Sequence, residues 1–170
     1  MVKGMDEPLE VSLGRLLARR GIRLAVAESC TGGLISHRIT NVPGSSEYYL
    51  GGVIAYAYQV KESVLGVPQE SLERFGAVSQ EVAIEMARGV RLYLGADIGV
   101  SVTGIAGPGG GTPEKPVGLT WIGFSVPGGE QAWKYIWEGD RLQVKYQSTE
   151  AVLRILVEYL RGLEDGAGSG

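Results

Sequence analysis

Residues that bind metals or form disulfides are scarce in this 170-residue chain, which contains one cysteine and one histidine. A single cysteine excludes an internal disulfide framework and fits a reducing compartment. No cluster of histidine, cysteine and carboxylate residues has the spacing of metal ligands. We therefore expect a protein that needs no metal and no other cofactor.

Long apolar runs and basic runs are absent as well. No stretch reaches the roughly 18 apolar residues of a membrane span, and the first eight residues carry acidic side chains where a signal peptide would be basic and then apolar. Sixteen Lys and Arg against nineteen Asp and Glu give a net charge of −3, whereas nucleic-acid binders usually carry a basic face. We expect a cytoplasmic protein that binds neither nucleic acid nor membranes.

What the chain does contain is an alternation of strand and helix patterns, with 44% hydrophobic residues to fill a core. The patterns predict strands at 23–28, 52–57, 98–102, 119–126 and 131–137, and helices at 8–20, 31–40, 60–65, 80–94 and 141–160. This order indicates an α/β fold in three layers, helix–sheet–helix, and the closing hairpin makes the sheet mixed. We expect one domain over residues 8–162, with flexible residues at 1–7 and 163–170.

The most informative segment is the run Ala-Glu-Ser-Cys-Thr-Gly-Gly at residues 27–33. It places Ser29 on a predicted strand-to-helix turn, where glycines let the backbone approach a ligand closely. Free N–H groups at a helix start can stabilise an oxyanion, so a hydroxyl nucleophile would have its charge stabiliser beside it. Taken alone, the same run fits a serine or threonine helix cap equally well.

A serine nucleophile needs a base, and the only histidine, His37, lies too far along the same predicted helix to reach Ser29. Lys61 follows the strand that ends near Tyr56, at the edge of the sheet where α/β proteins build their sites. Burial would lower the lysine pKa enough for it to act as a base, and a tyrosine hydroxyl could relay the proton. On spacing alone, the favoured interpretation is that Lys61 is a solvated helix residue and Tyr56 a strand-end aromatic.

Other candidates follow other strands. Thr103 and Gly104 end a predicted strand, as Ser29 does, and could contact substrate. The glycine-rich loop 104–116 fits neither a Walker loop nor a dinucleotide fingerprint and is either a generic loop or a ligand wall. Arg141 could hold a nucleotide phosphate or simply pair with Asp140.

Five motifs, in this order and spacing, closely resemble the CinA C-terminal domain family, whose members are nicotinamide mononucleotide deamidases. The resemblance covers roughly residues 8–162, and the motifs are Ala27–Gly33, Gly51–Tyr56 with Lys61, Gly76–Ser79, Thr103–Pro108 with Lys115–Gly118, and Gly139–Arg141. Many members have Asn two residues after the tyrosine, and this chain has Tyr58 there.

The resemblance implies hydrolysis of nicotinamide mononucleotide to nicotinate mononucleotide and ammonia, within pyridine nucleotide salvage. It assigns the chemistry to Ser29, Tyr56 and Lys61, without a metal. We expect substrate contacts from Cys30, Thr31, Gly32, Gly33, Thr103, Gly104 and Arg141.

Three alternatives stay open at this point. The chain could be a nucleotide-binding regulatory module that has lost turnover, a serine–lysine amidase or peptidase of another specificity, or a structural interaction domain. We expect a small-molecule nucleotide substrate and self-association into a homo-oligomer such as a dimer.

Overall fold

The sheet that organises the molecule is mixed, as the sequence predicts, and the computed structural model describes it within residues 7–167. Its five strands are arranged in the order β2-β1-β3-β4-β5. The strands are β1 (Leu24–Glu28), β2 (Tyr49–Ile54), β3 (Ile98–Gly104), β4 (Leu119–Val126) and β5 (Gly129–Ile136). The strand β1 pairs in parallel with β2 and β3, whereas β3–β4 and β4–β5 are antiparallel.

Helices cover both faces of this sheet, which confirms the three-layer α/β fold. They are α1 (Leu9–Arg20), α2 (Leu34–Thr40), α3 (Tyr58–Ser63), α4 (Gln69–Phe75), α5 (Gln80–Leu94) and α6 (Arg141–Ala167). The helices α1, α2 and α6 enclose the larger core on one face, and α5 packs with α3 and α4 on the other. No helix within residues 7–167 has the length and apolar character needed to cross a bilayer.

Capping residues set the boundaries that the sequence predicts best. The helix α5 begins after Ser79, whose hydroxyl accepts a hydrogen bond from the Val82 amide, and it ends at Gly95 in the left-handed conformation. Both features are strong local signals for helix ends. The predicted bounds 80–94 are therefore confirmed.

Other boundaries were wrong. The strand predicted at 52–57 is found at Tyr49–Ile54, and α3 begins at Tyr58 rather than at residue 60. The helix α4 and a short 3-10 turn at Ser45–Glu47 were missed, because segments this short carry little periodicity. The helix α6 continues beyond its predicted end at residue 160.

The segments expected to be flexible are only partly described. Residues 163–167 belong to α6, and Glu7 accepts a hydrogen bond from the Ser12 hydroxyl at 2.6 Å. Residues 1–6 and 168–170 lie outside the described residues. The start and end of the domain therefore stay predictions.

The topology brings three strand ends together. Glu28, the last residue of β1, lies beside Ile54 of β2 and beside Val102 of β3 in the two parallel ladders. The residues that follow each strand consequently meet at one edge of the sheet, which is where open α/β sheets place their ligands. The residues Ser29, Tyr56 and Gly104 all belong to this edge.

Candidate active site

The turn between β1 and α2 holds Ser29. The Ser29 amide continues the sheet by donating to the Val102 carbonyl at 3.0 Å, and the Ser29 carbonyl accepts from the Gly32 amide at 3.1 Å. Gly32 and Gly33 have φ angles of 61° and 104°, values that L side chains rarely adopt. The two glycines thus allow a reversal that leaves Ser29 at the strand end, almost buried at 8% exposure.

The side chain of Lys61 reaches Ser29 from α3. This side chain is 1% exposed. Its Nζ donates to Ser29 Oγ at 3.1 Å, to the Ala55 carbonyl at 2.6 Å and to the Tyr56 carbonyl at 3.3 Å. Burial away from water lowers the pKa of Lys61 from 10.5 to about 8, since desolvation penalises the charged amine.

The three acceptors around Lys61 suit both of its protonation states. An ammonium has three N–H donors, and a neutral amine has two N–H donors and one lone pair. The Ala55 and Tyr56 carbonyls can only accept, so they retain the two N–H groups of the neutral amine. The lone pair then faces Ser29 Oγ, whose hydroxyl can donate its proton to it.

Tyr56 does not make the contact that the sequence suggested for it. Its side chain is 62% exposed, and its hydroxyl accepts a hydrogen bond from Arg141 Nη2 at 3.1 Å. The backbone carbonyl of Tyr56, rather than its hydroxyl, holds Lys61. The cause is the alternation of side chains in extended backbone, which buries Ala55 and turns Tyr56 outward.

Glu28 accepts hydrogen bonds from several of the backbone amides that were expected to hold an anion. Its carboxylate accepts from the Gly33 and Ile35 amides at 3.0 and 3.2 Å, and from the Thr31 hydroxyl at 2.5 Å. The Gly32 amide is taken by the Ser29 carbonyl. Within the described residues, the amides of Cys30 and Thr31 make no such bond. Of these two residues, Cys30 lines the cavity described next, whereas Thr31 is 1% exposed and does not reach it.

A cavity of about 290 Å³ opens over the Ser29–Lys61 pair. Arg141 closes one side of it, donating from Nη1 to the Gly107 carbonyl at 2.8 Å. Thr103 also lines the cavity, and its hydroxyl donates to the Ala77 carbonyl at 2.8 Å. Of the ten predicted site residues, seven line the cavity, namely Ser29, Cys30, Tyr56, Lys61, Thr103, Gly104 and Arg141. The other three, Thr31, Gly32 and Gly33, shape the turn without reaching its lining.

The sequence profile of the CinA C-terminal domain matches residues 6–160. The chain belongs to the CinA family.

Curated relatives agree with this assignment. The chain is 52% identical over 156 residues to a competence-damage inducible protein of Moorella thermoacetica, and 51% identical over 148 residues to a CinA-like protein of Desulfotalea psychrophila. These matches cover 92% and 87% of the chain but only 38% and 36% of the two relatives. The chain thus spans less than two fifths of their length.

Solved CinA structures share the fold over almost their whole length. A CinA superfamily protein of Klebsiella pneumoniae superimposes with a TM-score of 0.87 at 32% identity, covering 91% of this chain and 96% of that one. A competence/damage inducible protein of Agrobacterium tumefaciens gives 0.86 at 34% identity, with coverages of 92% and 98%.

Some residues lining the cavity of this CinA domain were not predicted. Tyr58, the first residue of α3, is 54% exposed at the cavity wall, and Ala77 and Val78 line it from the segment before α5. The motif Gly76–Ser79 was recognised in the sequence, but nothing in its residue types indicated a ligand. The glycine-rich loop contributes Ile105–Gly107, Gly109 and Gly110, which favours its interpretation as a ligand wall.

Cys30 and His37 are poor candidates for the chemistry. Burial raises the pKa of the Cys30 thiol to about 12, so the group stays protonated near neutral pH. His37 is exposed on α2 and lies 3.4 Å from Asn41 Nδ2. Among residues 7–167, no group of three or more His, Cys, Asp or Glu is arranged to hold a metal ion.

Proposed function

We propose that this CinA domain is an amidohydrolase that converts nicotinamide mononucleotide and water into nicotinate mononucleotide and ammonia. The observation that carries the proposal is the buried pair in which Lys61 Nζ lies 3.1 Å from Ser29 Oγ. A nucleophile and a base within hydrogen-bond reach, at the edge of a cavity, are the minimum for acyl transfer.

In the first half of the proposed reaction, neutral Lys61 accepts the proton of Ser29 as Oγ attacks the carboxamide carbon. The resulting tetrahedral intermediate carries its negative charge on the former carbonyl oxygen. The amide of Cys30, which follows Ser29 at the cavity lining, would donate to that oxygen. The Lys61 ammonium then returns the proton to the amide nitrogen, the C–N bond breaks, and ammonia leaves an acyl-serine ester.

In the second half, water replaces ammonia. Lys61, neutral again, takes a proton from the water as its oxygen attacks the ester carbon. Collapse of the second tetrahedral intermediate breaks the bond to Ser29 Oγ, which recovers its proton from Lys61. The sum consumes one water and releases one carboxylic acid and one ammonia, so the protein ends in its starting state.

The position and charge of Arg141 favour a nucleotide as the substrate. Its guanidinium lies at the cavity wall, held by the Gly107 carbonyl and the Tyr56 hydroxyl, and no carboxylate pairs with it among the described ion pairs. An arginine fork without a counter-charge suits a phosphate. Tyr56 would thus act through Arg141 and through its own backbone carbonyl rather than as a proton relay.

A second candidate function is a serine–lysine amidase of other specificity, because the Ser29–Lys61 pair does not itself depend on a phosphate. A regulatory module without turnover is the third, and the complete set of contacts around Lys61 argues against it. A cytoplasmic location, which the single buried cysteine favours, and self-association are further parts of the proposal.

Ammonia release from nicotinamide, its riboside and its mononucleotide distinguishes the three functions. We expect kcat/KM to be highest for the mononucleotide, since binding energy from a remote phosphate can lower the barrier at the reacting carbon. Equal values for riboside and mononucleotide would favour a general amidase. Ligand binding without ammonia release from any of the three would favour the regulatory module.

A further inference from the structure

Glu28 is a buried carboxylate that the proposed reaction does not use. It is 1% exposed and accepts five hydrogen bonds. Three come to Oε2 from the Thr31 hydroxyl and the amides of Gly33 and Ile35, and two come to Oε1 from the amide and the hydroxyl of Ser36, at 2.9 and 2.7 Å. A buried carboxylate without a cation needs this many donors to replace its lost hydration.

The groups that donate to Glu28 all belong to the segment that follows Ser29. Glu28 precedes Ser29 directly on β1, and its five partners lie between residues 31 and 36. Its carboxylate makes no hydrogen bond with Ser29 or Lys61 within the described residues, so it does not orient the lysine by contact. It instead ties the end of β1 to the start of α2 across the reversal at Gly32 and Gly33.

We propose that Glu28 is a positioning residue that fixes the Ser29 turn and leaves the amide of Cys30, at the cavity lining, as a donor for the oxyanion. The inference rests on Ser29 being the nucleophile of the proposed function. Five bonds from one rigidly held carboxylate define where Ser29 Oγ stands relative to Lys61 Nζ. Displacements near 1 Å in such an arrangement reduce rates by about 100-fold.

The structure predicts a graded series of effects. Glu28→Gln keeps one oxygen for Thr31, Gly33 and Ile35 but turns an NH2 group toward the Ser36 amide, which is itself a donor. Glu28→Ala leaves all five donors without their acceptor. We expect kcat to fall about 10-fold in the first variant and about 100-fold in the second, with KM changed less than threefold because the phosphate contacts lie at Arg141.

Chemical rescue separates a positioning role from mere loss of stability. In Glu28→Ala, formate can occupy the vacated position and accept from the same donors, so we expect it to restore kcat at least fivefold while leaving the parent protein unaffected. The matched control is Arg38→Met on α2, the helix whose start Glu28 holds; it removes the ion pairs with Glu10 and Glu150. It should lower Tm without a kcat loss greater than twofold and without any response to formate.

Ser29 acylation by p-nitrophenyl acetate, followed by mass spectrometry, makes the test independent of the natural substrate. If the mononucleotide gives no ammonia but Ser29 is acylated, the proposed function fails and the Glu28 series is read from acylation rates. The inference is overturned if Glu28→Gln retains kcat or acylation within twofold, if Arg38→Met loses as much activity as Glu28→Ala at equal Tm, or if Ser29 is not acylated in the parent protein. Should Glu28→Ala not fold, Glu28→Gln compared with Arg38→Met decides by the same criteria.

Discussion

Glu28 directly precedes Ser29 and Lys61 contacts its hydroxyl; both are buried ionisable residues, and each is 1% exposed. Glu28 accepts five hydrogen bonds, three of them from backbone amides. Lys61 donates to two carbonyls and one hydroxyl, and no carboxylate pairs with it among the described ion pairs.

The difference in these contacts indicates a structural role for Glu28 and a reactive role for Lys61. The donors around Glu28 stabilise the carboxylate and hold a turn together. The acceptors around Lys61 compensate its charge only in part, so burial lowers its pKa to about 8 and makes the neutral amine accessible near physiological pH. One buried group therefore builds the site, and the other is the group that we propose takes a proton in it.

The largest effect is expected from removing the Ser29 hydroxyl, which Lys61 contacts and whose turn Glu28 holds. Ser29→Ala should lower kcat for ammonia release by at least about 10⁴-fold, as losing a nucleophile does in other acyl-transfer enzymes. Circular dichroism and thermal melting should be close to those of the parent protein, since the turn keeps its backbone bonds. Cys30→Ala is the comparison variant, and we expect a much smaller loss because the thiol stays protonated.

A substitution that keeps the charge of Lys61 but not its titration tests the base directly. Arginine is never neutral in proteins, so Lys61→Arg should be nearly as inactive as Lys61→Ala, with kcat reduced about 10³-fold in each. Steady-state ammonia release measures both. Activity near the parent level in Lys61→Arg would mean that the positive charge, and not proton transfer, is what this position supplies.

The third variant leaves both buried groups intact and removes the cation at the cavity wall. Arg141→Ala deletes the bonds to Gly107 and Tyr56 and the proposed phosphate contact. A hydrogen bond to a charged group contributes about 1.5–3 kcal/mol, so kcat/KM for the mononucleotide should fall about 10- to 100-fold. The riboside, which lacks the phosphate, should lose less than threefold. Equal losses for both substrates would place the phosphate elsewhere.

The fold was accessible to sequence analysis because its signals are local and repeated. Ser79 and Gly95 marked both ends of α5, and the alternation of strands with helices indicated the three layers. The short helix α4 and the position of β2 were not accessible, since a segment of six or seven residues is decided by its packing against the rest of the molecule.

For the site, the sequence identified residue types better than their roles. Ser29 and Lys61 were named together, and the structure places them in contact. Tyr56 was expected to offer its hydroxyl to Lys61, but side-chain alternation turned it outward. The sequence did not specify which groups would donate to Glu28, because three of them are backbone amides, which carry no signature in a sequence.

The pH dependence of activity tests the titration of Lys61, and its expected effect is smaller than those of the substitutions. With a pKa of about 8 for Lys61, the neutral fraction is about 10% at pH 7 and about 90% at pH 9. We expect kcat/KM for ammonia release to rise about tenfold over this interval and then level off. The residual activity of Lys61→Arg should lack this rise. A flat profile in the parent protein would remove Lys61 as the titrating base.

The smallest expected effect is on stability, and its sign follows from the same pKa. The lysine pKa is about 8 in the folded protein and 10.5 ordinarily, so the unfolded chain binds more protons between these values and the free energy of unfolding rises with pH there. The burial penalty, about 3 kcal/mol, is present in full below pH 8 and disappears above about pH 10.5.

Lys61→Met removes this titration while keeping much of the side-chain volume. The variant also loses the bonds to the Ala55 and Tyr56 carbonyls, which offsets its absolute stability by a constant amount. That constant offset does not affect how the difference in stability between the variant and the parent changes with pH. Measured by urea unfolding, the stability of Lys61→Met relative to the parent should therefore decrease as the pH rises from 7.5 to 10.5. A constant difference would show that the parent protein folds with a lysine of ordinary pKa.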